Sequence, residues 1–294
     1  MGNNLRDIRR RIKSVKSTQQ ITRAMKMVAA AKFRRAEEKV AHAQRFSTRL
    51  DAVLAKLAPA MVHVAHPYLW YGEDLSEGKA LVVLMTSDKG LCGSFNGNLV
   101  KKAHVLVNRL KGEGRTVEIA AIGKKGKDYF ARRDVKIVYF SQNDRSGPSF
   151  GSVRSLAGAV STAFLKKEYS EVYVVYSEFL NVTKHIPTVK RVLPVDAAAD
   201  EAKIDASFEN VILEPRSGEL VAHVLDRYLP IQLLCALHIN YASENGARMV
   251  AMDNATTAAS DMIDSLTLEY NKARQSAITK ELLEIVSGAE AMKT

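Results

Sequence analysis

The sequence has little of several features that would assign it to a particular class of protein. It contains only two cysteines, Cys92 and Cys235, and neither lies in a CxxC pair or beside a histidine at metal-ligand spacing. This excludes a disulfide framework and predicts two reduced thiols. The longest apolar runs, ALVVLM and LPIQLLCALHI, are well short of the ~20 residues that cross a bilayer. We therefore expect no membrane-spanning segment.

Signatures of nucleotide binding and of catalysis are also missing. The chain has neither GxGxxG nor GxxxxGK[ST], although the Gly-rich stretch SDKGLCGSFNGN follows a predicted strand. No Ser/His/Asp set, pair of carboxylates or metal-ligating cluster stands out in the sequence. We therefore expect no catalytic residue, no cofactor and no metal.

Basic charge is concentrated at the N-terminus. The first fifty residues hold 14 Lys and Arg against 3 Asp and Glu, a surplus of 11, which equals the net charge of the whole chain. Such a basic arm on a neutral body favours nucleic acid, an anionic membrane surface or an acidic protein surface as its partner. Composition alone does not choose among the three.

The basic arm also carries a heptad pattern. Gly and Pro are absent from Leu5 to Ala58, and mostly apolar residues recur in steps of three and four over eight heptads. The pattern predicts one helix over residues 1–58, about 80 Å long at ~1.5 Å per residue. The seam positions are Leu5, Ile8, Ile12, Val15, Gln19, Thr22, Lys26, Ala29, Phe33, Ala36, Val40, Ala43, Ser47, Leu50, Leu54 and Leu57.

A second seam lies near the other end of the chain. Its members step by three and four, and only Thr256 is polar. They are Met249, Met252, Thr256, Ala259, Ile263, Leu266, Tyr270, Ala273 and Ala277. We assign residues 209–294 to this C-terminal helix region, with Ser217 as its N-cap and with Pro230 and Gly246 as candidate positions for a bend.

Two helices with seams at opposite ends of one chain are expected to pair as an antiparallel coiled coil. The preferred register places Thr22 against Thr256 and Lys26 against Met252. The alternative register places Thr22 against Met249, which sets a polar side chain on an apolar one. The preferred register leaves the apolar C-terminal stretch ITKELLEIVSGAEAM without a partner from the first helix.

Between the two helices the periodicity is that of short strands. The β-rich runs KALVVLMTS, TVEIAAIG, VKIVYF and EVYVVYSEF alternate with amphipathic segments near residues 97–111, 124–133 and 151–168. This alternation predicts a small Rossmann-like α/β domain with a partly parallel sheet over residues 78–195. The fold class is therefore α/β, with this domain inserted between the helices of a long antiparallel coiled coil.

The remaining segments of the middle region complete this division. The stretch PTVKRVLPV is bracketed by Pro187 and Pro194, which predicts an edge strand. Residues 59–77 are assigned to a connector, and residues 196–208 to a loop that returns the chain to the second long helix.

Four stretches of the sequence resemble the gamma subunit of the rotary ATP synthase. They are ITRAMKMVAAAKFRRAE, SDKGLCGSFNGNL, ASENGARMVAMDNAT and NKARQSAITKELLEIVSGAEA. The resemblance implies a central rotor stalk that couples proton-driven rotation of a membrane ring of c subunits to ATP synthesis in the beta subunits. The partners it implies are the hexameric ring of alpha and beta subunits, the epsilon subunit and the c ring.

The resemblance also implies particular contact residues. The implied contacts with the beta subunits are Met25, Lys26, Lys89, Arg248, Arg274, Gln275, Thr279, Glu281 and Glu284. Val211 and Glu214 are the implied contacts with the c ring. The basic helix pair would face an acidic loop of the beta subunits, and the apolar C-terminal stretch would lie in the hydrophobic bearing of the ring.

The N-terminal helix pattern begins without a targeting segment. We therefore expect a peripheral location at the cytoplasmic face of a bacterial inner membrane, with no direct membrane insertion. Two alternatives remain, a nucleic-acid-binding protein with a basic coiled-coil arm and a scaffold on an anionic membrane surface. The first needs aromatic side chains that stack on bases, and the arm has only Phe33 and Phe46.

Overall fold

The computed structural model describes residues 2–61, 64, 66–70, 75, 78–144, 146–179, 181, 184–196 and 217–291. The chain divides into two units. The smaller unit is Met1–Ala29 with Arg248–Thr294, and the larger unit is Ala30–Ala247. Two long helices, α1 (Gly2–Met61) and α5 (Ser217–Ala291), contribute residues to both units.

Helix α1 follows the heptad pattern of the sequence. It ends at Met61, three residues beyond the predicted end, and all sixteen seam positions are buried or half-buried. The other positions of the helix that the structure describes are mostly exposed. Burial therefore follows the steps of three and four that a helix pairing through one stripe requires.

Helix α5 is described from Ser217, the predicted N-cap, and is continuous through Pro230 and Gly246. The residues just before Ser217 lie outside the described part of the chain, so its role as N-cap stays a prediction. By length and composition alone it would also qualify as a membrane-spanning helix, since one 18-residue window has a mean hydropathy of 1.3. Half of that window is buried inside the protein. Because the core helices of globular proteins pass the same test, this is a weak indication of a membrane span.

The larger unit contains a mixed five-stranded sheet with the strand order β4-β3-β2-β5-β6. The strands are β2 (Lys79–Met85), β3 (Thr116–Ile122), β4 (Lys136–Ser141), β5 (Tyr169–Phe179) and β6 (His185–Leu193). All neighbours pair in parallel except β6, which is antiparallel to β5. The predicted edge strand is confirmed, although it begins before Pro187 and contains that residue.

Helices connect the parallel strands and cover both faces of the sheet. They are α2 (Phe95–Gly112), α3 (Lys124–Phe130) and α4 (Phe150–Leu165). Strand β2 is buried on both faces of the sheet. On one face Leu81, Val83 and Met85 belong to an apolar cluster that also contains residues of α4 and α5. On the other face Ala80, Val82 and Leu84 belong to a cluster with residues of α2 and α3. This two-sided burial explains why the strand reads as a continuous apolar run.

A second, two-stranded sheet was not predicted. Strand β1 (Leu69–Trp70) pairs in parallel with β7 (Val195–Asp196). The predicted connector at residues 59–77 therefore contains a strand. Strand β7 ends one residue beyond residue 195, the predicted end of the α/β domain. Two-residue strands are too short to show an alternation of apolar and polar residues. The rest of the predicted loop at residues 197–208 lies outside the described residues.

Candidate functional site: the terminal helix pair

The smaller unit is built from the start of α1 and the second half of α5. Thr256 Oγ1 donates a hydrogen bond to Thr22 Oγ1 over 2.8 Å, and Lys26 Nζ lies 2.5 Å from Asp253 Oδ1. Each hydroxyl also lies within donating distance of a backbone carbonyl of its own helix, Thr22 Oγ1 at 3.0 Å from Gln19 and Thr256 Oγ1 at 2.7 Å from Met252, so the single proton of Thr256 is shared between two acceptors. These contacts confirm the predicted register and exclude the one that sets Thr22 on Met249.

The apolar core of this helix pair is narrow. Its buried members are Ile8, Thr22, Ala29, Met252 and Ala259. The other seam positions of the unit are half-buried. A two-helix unit can bury only one stripe of each helix, so the remaining surface of both helices is left for solvent or for a partner.

That remaining surface carries many apolar side chains. Ile21, Met27 and Val28 on α1 are more than half exposed, as are Met262 and Leu268 on α5. The C-terminal part of α5 adds Ile278, Leu282, Leu283, Ile285 and Val286, which are 48% to 67% exposed. Monomeric proteins rarely expose so many large apolar residues close together, so this surface indicates a protein partner.

Sequence reasoning identified the C-terminal stretch but missed the exposed group on α1. Ile21, Met27 and Val28 occupy heptad positions outside the seam, where a helix that only pairs with one partner would carry polar residues. Large apolar residues at heptad positions outside the seam are therefore the sequence signal that could have identified this exposed group.

Positive charge lies on the exposed surface of α1. The exposed basic residues of its first 29 positions are Arg6, Arg9, Arg10, Arg11, Lys13, Lys16 and Arg23. Among the described residues only Arg10 of this group has a carboxylate within 4 Å, that of Asp7 at 3.2 Å. The surface therefore presents unneutralised positive charge, which favours an acidic partner.

The contact residues predicted on the terminal helices lie on this unit. Met25, Lys26 and Arg248 are half-buried. Exposed positions further along α5 hold Arg274, Gln275, Thr279, Glu281 and Glu284. The charge of Lys26 is offset by Asp253, a partner that the predicted pairing with Met252 did not include.

Two of these α5 side chains are held by their own helix. Thr279 Oγ1 donates to the backbone carbonyl of Gln275 over 2.9 Å, and Glu284 lies 3.7 Å from Lys280 Nζ. Both contacts join residues four apart on an exposed face. They leave most of the polar surface of this stretch available to a partner.

Lys89 lies in the larger unit, in the loop between β2 and α2. Asp88 anchors this loop, since its carboxylate oxygens accept hydrogen bonds from the backbone N–H groups of Lys124 and Asn143, each over 2.9 Å. Leu91 adopts a left-handed conformation with φ of 63° and is 62% exposed. The anchored loop thus presents a cation and a large apolar side chain to the outside.

The remaining predictions concern the c-ring contacts, metal binding and the two cysteines. Val211 and Glu214 lie outside the described residues. Within the described part of the chain, no group of three His, Cys, Asp or Glu side chains is placed to hold a metal ion. Cys92 and Cys235 are buried free thiols, and burial raises the pKa of Cys235.

Comparisons with known proteins agree with this architecture. A family model described as ATP synthase matches residues 4–292. The ATP synthase gamma chain of Parvibaculum lavamentivorans is 43% identical, and the match covers 98% of this chain and 99% of the relative. The gamma chain of Moorella thermoacetica is 42% identical, with 99% of each chain covered.

Solved structures show the same fold. A chain from the Tetrahymena thermophila mitochondrial ATP synthase, central stalk and c ring, matches with a TM-score of 0.61 at 25% identity, covering 80% of this chain and 99% of that one. A chain of the Euglena gracilis mitochondrial ATP synthase matches with a TM-score of 0.70 at 22% identity, covering 99% and 95%. The comparisons give no support to the nucleic-acid alternative. The chain therefore belongs to the ATP synthase gamma-chain family.

Proposed function

We propose that this chain is the turning central stalk of an ATP synthase and that it transmits torque without carrying out chemistry itself. The observation that carries the proposal is the terminal helix pair, with its fixed register and with apolar side chains exposed on both helices and along the C-terminal stretch. A rotor inside a ring needs such a surface, because the ring supplies the burial that the chain's own helices do not.

The mechanism follows from how a stiff helix pair can act on the surrounding ring of alpha and beta subunits. Each face of the helix pair differs in charge and in apolar surface, so each face favours a different conformation of the beta subunit beside it. Turning the rod moves that preference from one beta subunit to the next. Rotation and the affinity of the beta subunits for nucleotide are thereby coupled, with no catalytic side chain and no cofactor on this chain.

The beta contacts belong to this proposal. Arg274 and Gln275 would meet a loop of one beta subunit, and the exposed residues Thr279, Glu281 and Glu284 would extend that contact along α5. Met25 and Arg248 would face the acidic beta loop beside the Lys26–Asp253 pair. Ionic contacts between a basic surface and an acidic loop can exchange as the stalk turns. They would hold the stalk and the beta subunits together without fixing the stalk at one rotational angle.

The remaining partners are proposed from the family. Val211 and Glu214 would contact the c ring, and the epsilon subunit would bind the same stalk. The complex would lie at the cytoplasmic face of a bacterial inner membrane. The match to a chain from a central stalk with its c ring supports the proposed association with a c ring.

Reconstitution tests the proposal. The tagged chain is mixed with ATP synthase alpha and beta subunits and with total cellular RNA at physiological salt, and the captured complex is assayed for ATP hydrolysis. We expect stoichiometric capture of both subunits, which Lys166→Glu, a charge change on an exposed residue of the larger unit, leaves unchanged. Capture of RNA with no alpha or beta subunit would instead support the nucleic-acid alternative.

A further inference from the structure

Helix α5 contacts the backbone of strand β5 directly within the larger unit. Asn240 Oδ1 accepts a hydrogen bond from the Ser177 N–H over 2.9 Å, and Ser243 Oγ donates one to the Ser177 carbonyl over 3.0 Å. None of the three residues is more than 2% exposed. One turn of the helix thus satisfies both backbone groups of a single strand residue.

The position of Ser177 explains why those groups need a partner from the helix. It lies two residues beyond Val175, the last residue of β5 that pairs with β2. On the other side the register places it opposite Pro187 of β6, which has no N–H to donate to the Ser177 carbonyl. A buried backbone group without a partner is costly, so Asn240 and Ser243 take the place of a missing strand.

A second set of polar contacts lies two turns earlier on α5. Gln232 accepts a hydrogen bond from Lys190 Nζ on β6 over 2.9 Å and donates one to Asp51 of α1 over 3.0 Å. Gln232 is 4% exposed. One amide therefore joins the sheet, the first helix and the last helix.

A pocket of about 310 Å³ that is open to solvent lies beside this amide, between the two helices and the sheet. Its lining includes Tyr176, Lys190 and Cys235. Apolar contacts are non-directional, so they specify the rotational setting of a helix less sharply than hydrogen bonds do. Hydrogen bonds depend steeply on distance and angle, and a slip of one residue along a helix moves each side chain by ~1.5 Å and ~100°.

We propose that Asn240 and Ser243 are positioning residues that fix the rotational and axial setting of α5 on the sheet, so that the α/β domain and the helix turn as one body. The inference rests on the function proposed above. Torque that reaches the α/β domain passes into α5 through these directional contacts, and without them the helix lags behind the domain.

The test uses two variants in the assembled synthase. Asn240→Leu combined with Ser243→Ala removes both hydrogen bonds and keeps side chains of similar size. Leu237→Ala, on the same helix, removes buried apolar contacts only and is the matched control. A bead attached through Asn108→Cys, an exposed position on α2, reports the angle of the α/β domain while the alpha and beta subunits are fixed.

The expected result separates the two kinds of contact. Angular fluctuations of the bead should broaden about twofold in the double variant, because both hydrogen bonds between α5 and the Ser177 backbone are lost. ATP hydrolysis should be unchanged, and Leu237→Ala should fluctuate like the wild type. Wild-type fluctuations in the double variant would overturn the proposal, as would equal broadening in Leu237→Ala.

Hydrogen exchange at the Ser177 amide gives a second measurement that does not depend on rotation. We expect faster exchange in the double variant, and in Asn240→Ala alone if the double variant does not fold, because Asn240 accepts the hydrogen bond of this amide. Unchanged exchange would overturn the contact itself. A wild-type chain that does not turn in the ring would instead overturn the proposed function, and the exchange measurement would still decide the role of Asn240 and Ser243 in setting the helix.

Discussion

Glu118 is a buried carboxylate near the start of β3, 5% exposed. The Tyr169 hydroxyl donates to it over 2.6 Å, and the ammonium groups of Lys79 and Lys136 each lie 3.3 Å away. Burial raises the pKa of this carboxyl, but the hydrogen bonds from Tyr169, Lys136 and Lys79 outweigh burial and hold the pKa below its usual value. The carboxylate is thus stabilised in its charged form where the four parallel strands β2 to β5 begin.

This environment predicts a pH-dependent stability. Because the pKa of Glu118 is lower in the folded than in the unfolded chain, its stabilisation is complete above the unfolded pKa and is lost as pH falls through the folded pKa. Glu118→Gln should lower the free energy of unfolding by about 1–3 kcal/mol at neutral pH and by less at acidic pH. Denaturant unfolding at the two pH values measures this.

Lys136→Gln is the control for Glu118→Gln, since the Lys136 side chain is 70% exposed and surface ion pairs contribute about 0–1 kcal/mol. An equal loss for Glu118→Gln at neutral and acidic pH would contradict the role assigned to its charge.

Prediction from sequence succeeds for single residues where a local pattern determines the contact. The Thr22–Thr256 pair followed from matching two heptad seams. The Lys26–Asp253 pair did not, because a charge next to the seam can reach several neighbours and the choice depends on helix rotation. The bond between Asn240 and Ser177 was equally unpredictable, since it joins a helix to a strand 63 residues away in sequence.

At the scale of elements, the long helices and the central strands were predictable for different reasons. Helix α1 has an unbroken heptad and no internal Gly or Pro from Leu5 to Ala58, so its end was placed within three residues. The strands of the main sheet alternate along the chain with amphipathic helices, and this alternation made the α/β fold class predictable. The strands β1 and β7 are too short to carry any periodicity.

The register of the helix pair gives a direct chemical test. In a chain with Cys92 and Cys235 replaced by alanine, cysteines at positions 22 and 256 should form a disulfide readily under mild oxidation. Cysteines at 22 and 249 should not, because that pair belongs to the excluded register. Mobility on non-reducing gels distinguishes the crosslinked chain from the uncrosslinked chain. Preferential crosslinking of positions 22 and 249 would refute the register that pairs Thr22 with Thr256.

The C-terminal stretch of α5 predicts a separation of folding from function. Residues 278–288 are all exposed, so removing residues 287–294 should leave the thermal unfolding of the isolated chain unchanged. Assembly with the ring, or the coupling of hydrolysis to pumping, should decline. A truncated chain that loses its own folding would show instead that these residues have a partner within the chain.

At the scale of the whole molecule, the two units differ in how they treat apolar surface. The larger unit encloses most of its apolar residues in three clusters between helices and sheet, although single side chains such as Leu91, Val105 and Phe150 are more than half exposed. The smaller unit exposes large apolar residues on both helices beside a row of unneutralised cations. The first is the arrangement of an independent globular domain, and the second that of an element whose partner is another protein.

Charge changes on the smaller unit should therefore affect coupling before they affect assembly. Met25→Lys and Arg248→Glu each alter the charge that would face the acidic beta loop, and both should lower the number of protons pumped per ATP hydrolysed. Lys166→Glu is the control on the larger unit. Proton pumping in membrane vesicles measures the ratio, and wild-type ratios in both variants would contradict the assigned contacts.

Rotation of this chain within a fixed ring is the most direct test of its role. The alpha and beta subunits are attached to a surface, the chain carries a bead on an exposed cysteine at position 108, and ATP is added. The account predicts continuous turning of the bead in one direction, driven by hydrolysis. A complex that hydrolyses ATP while the bead stays at one angle would contradict it.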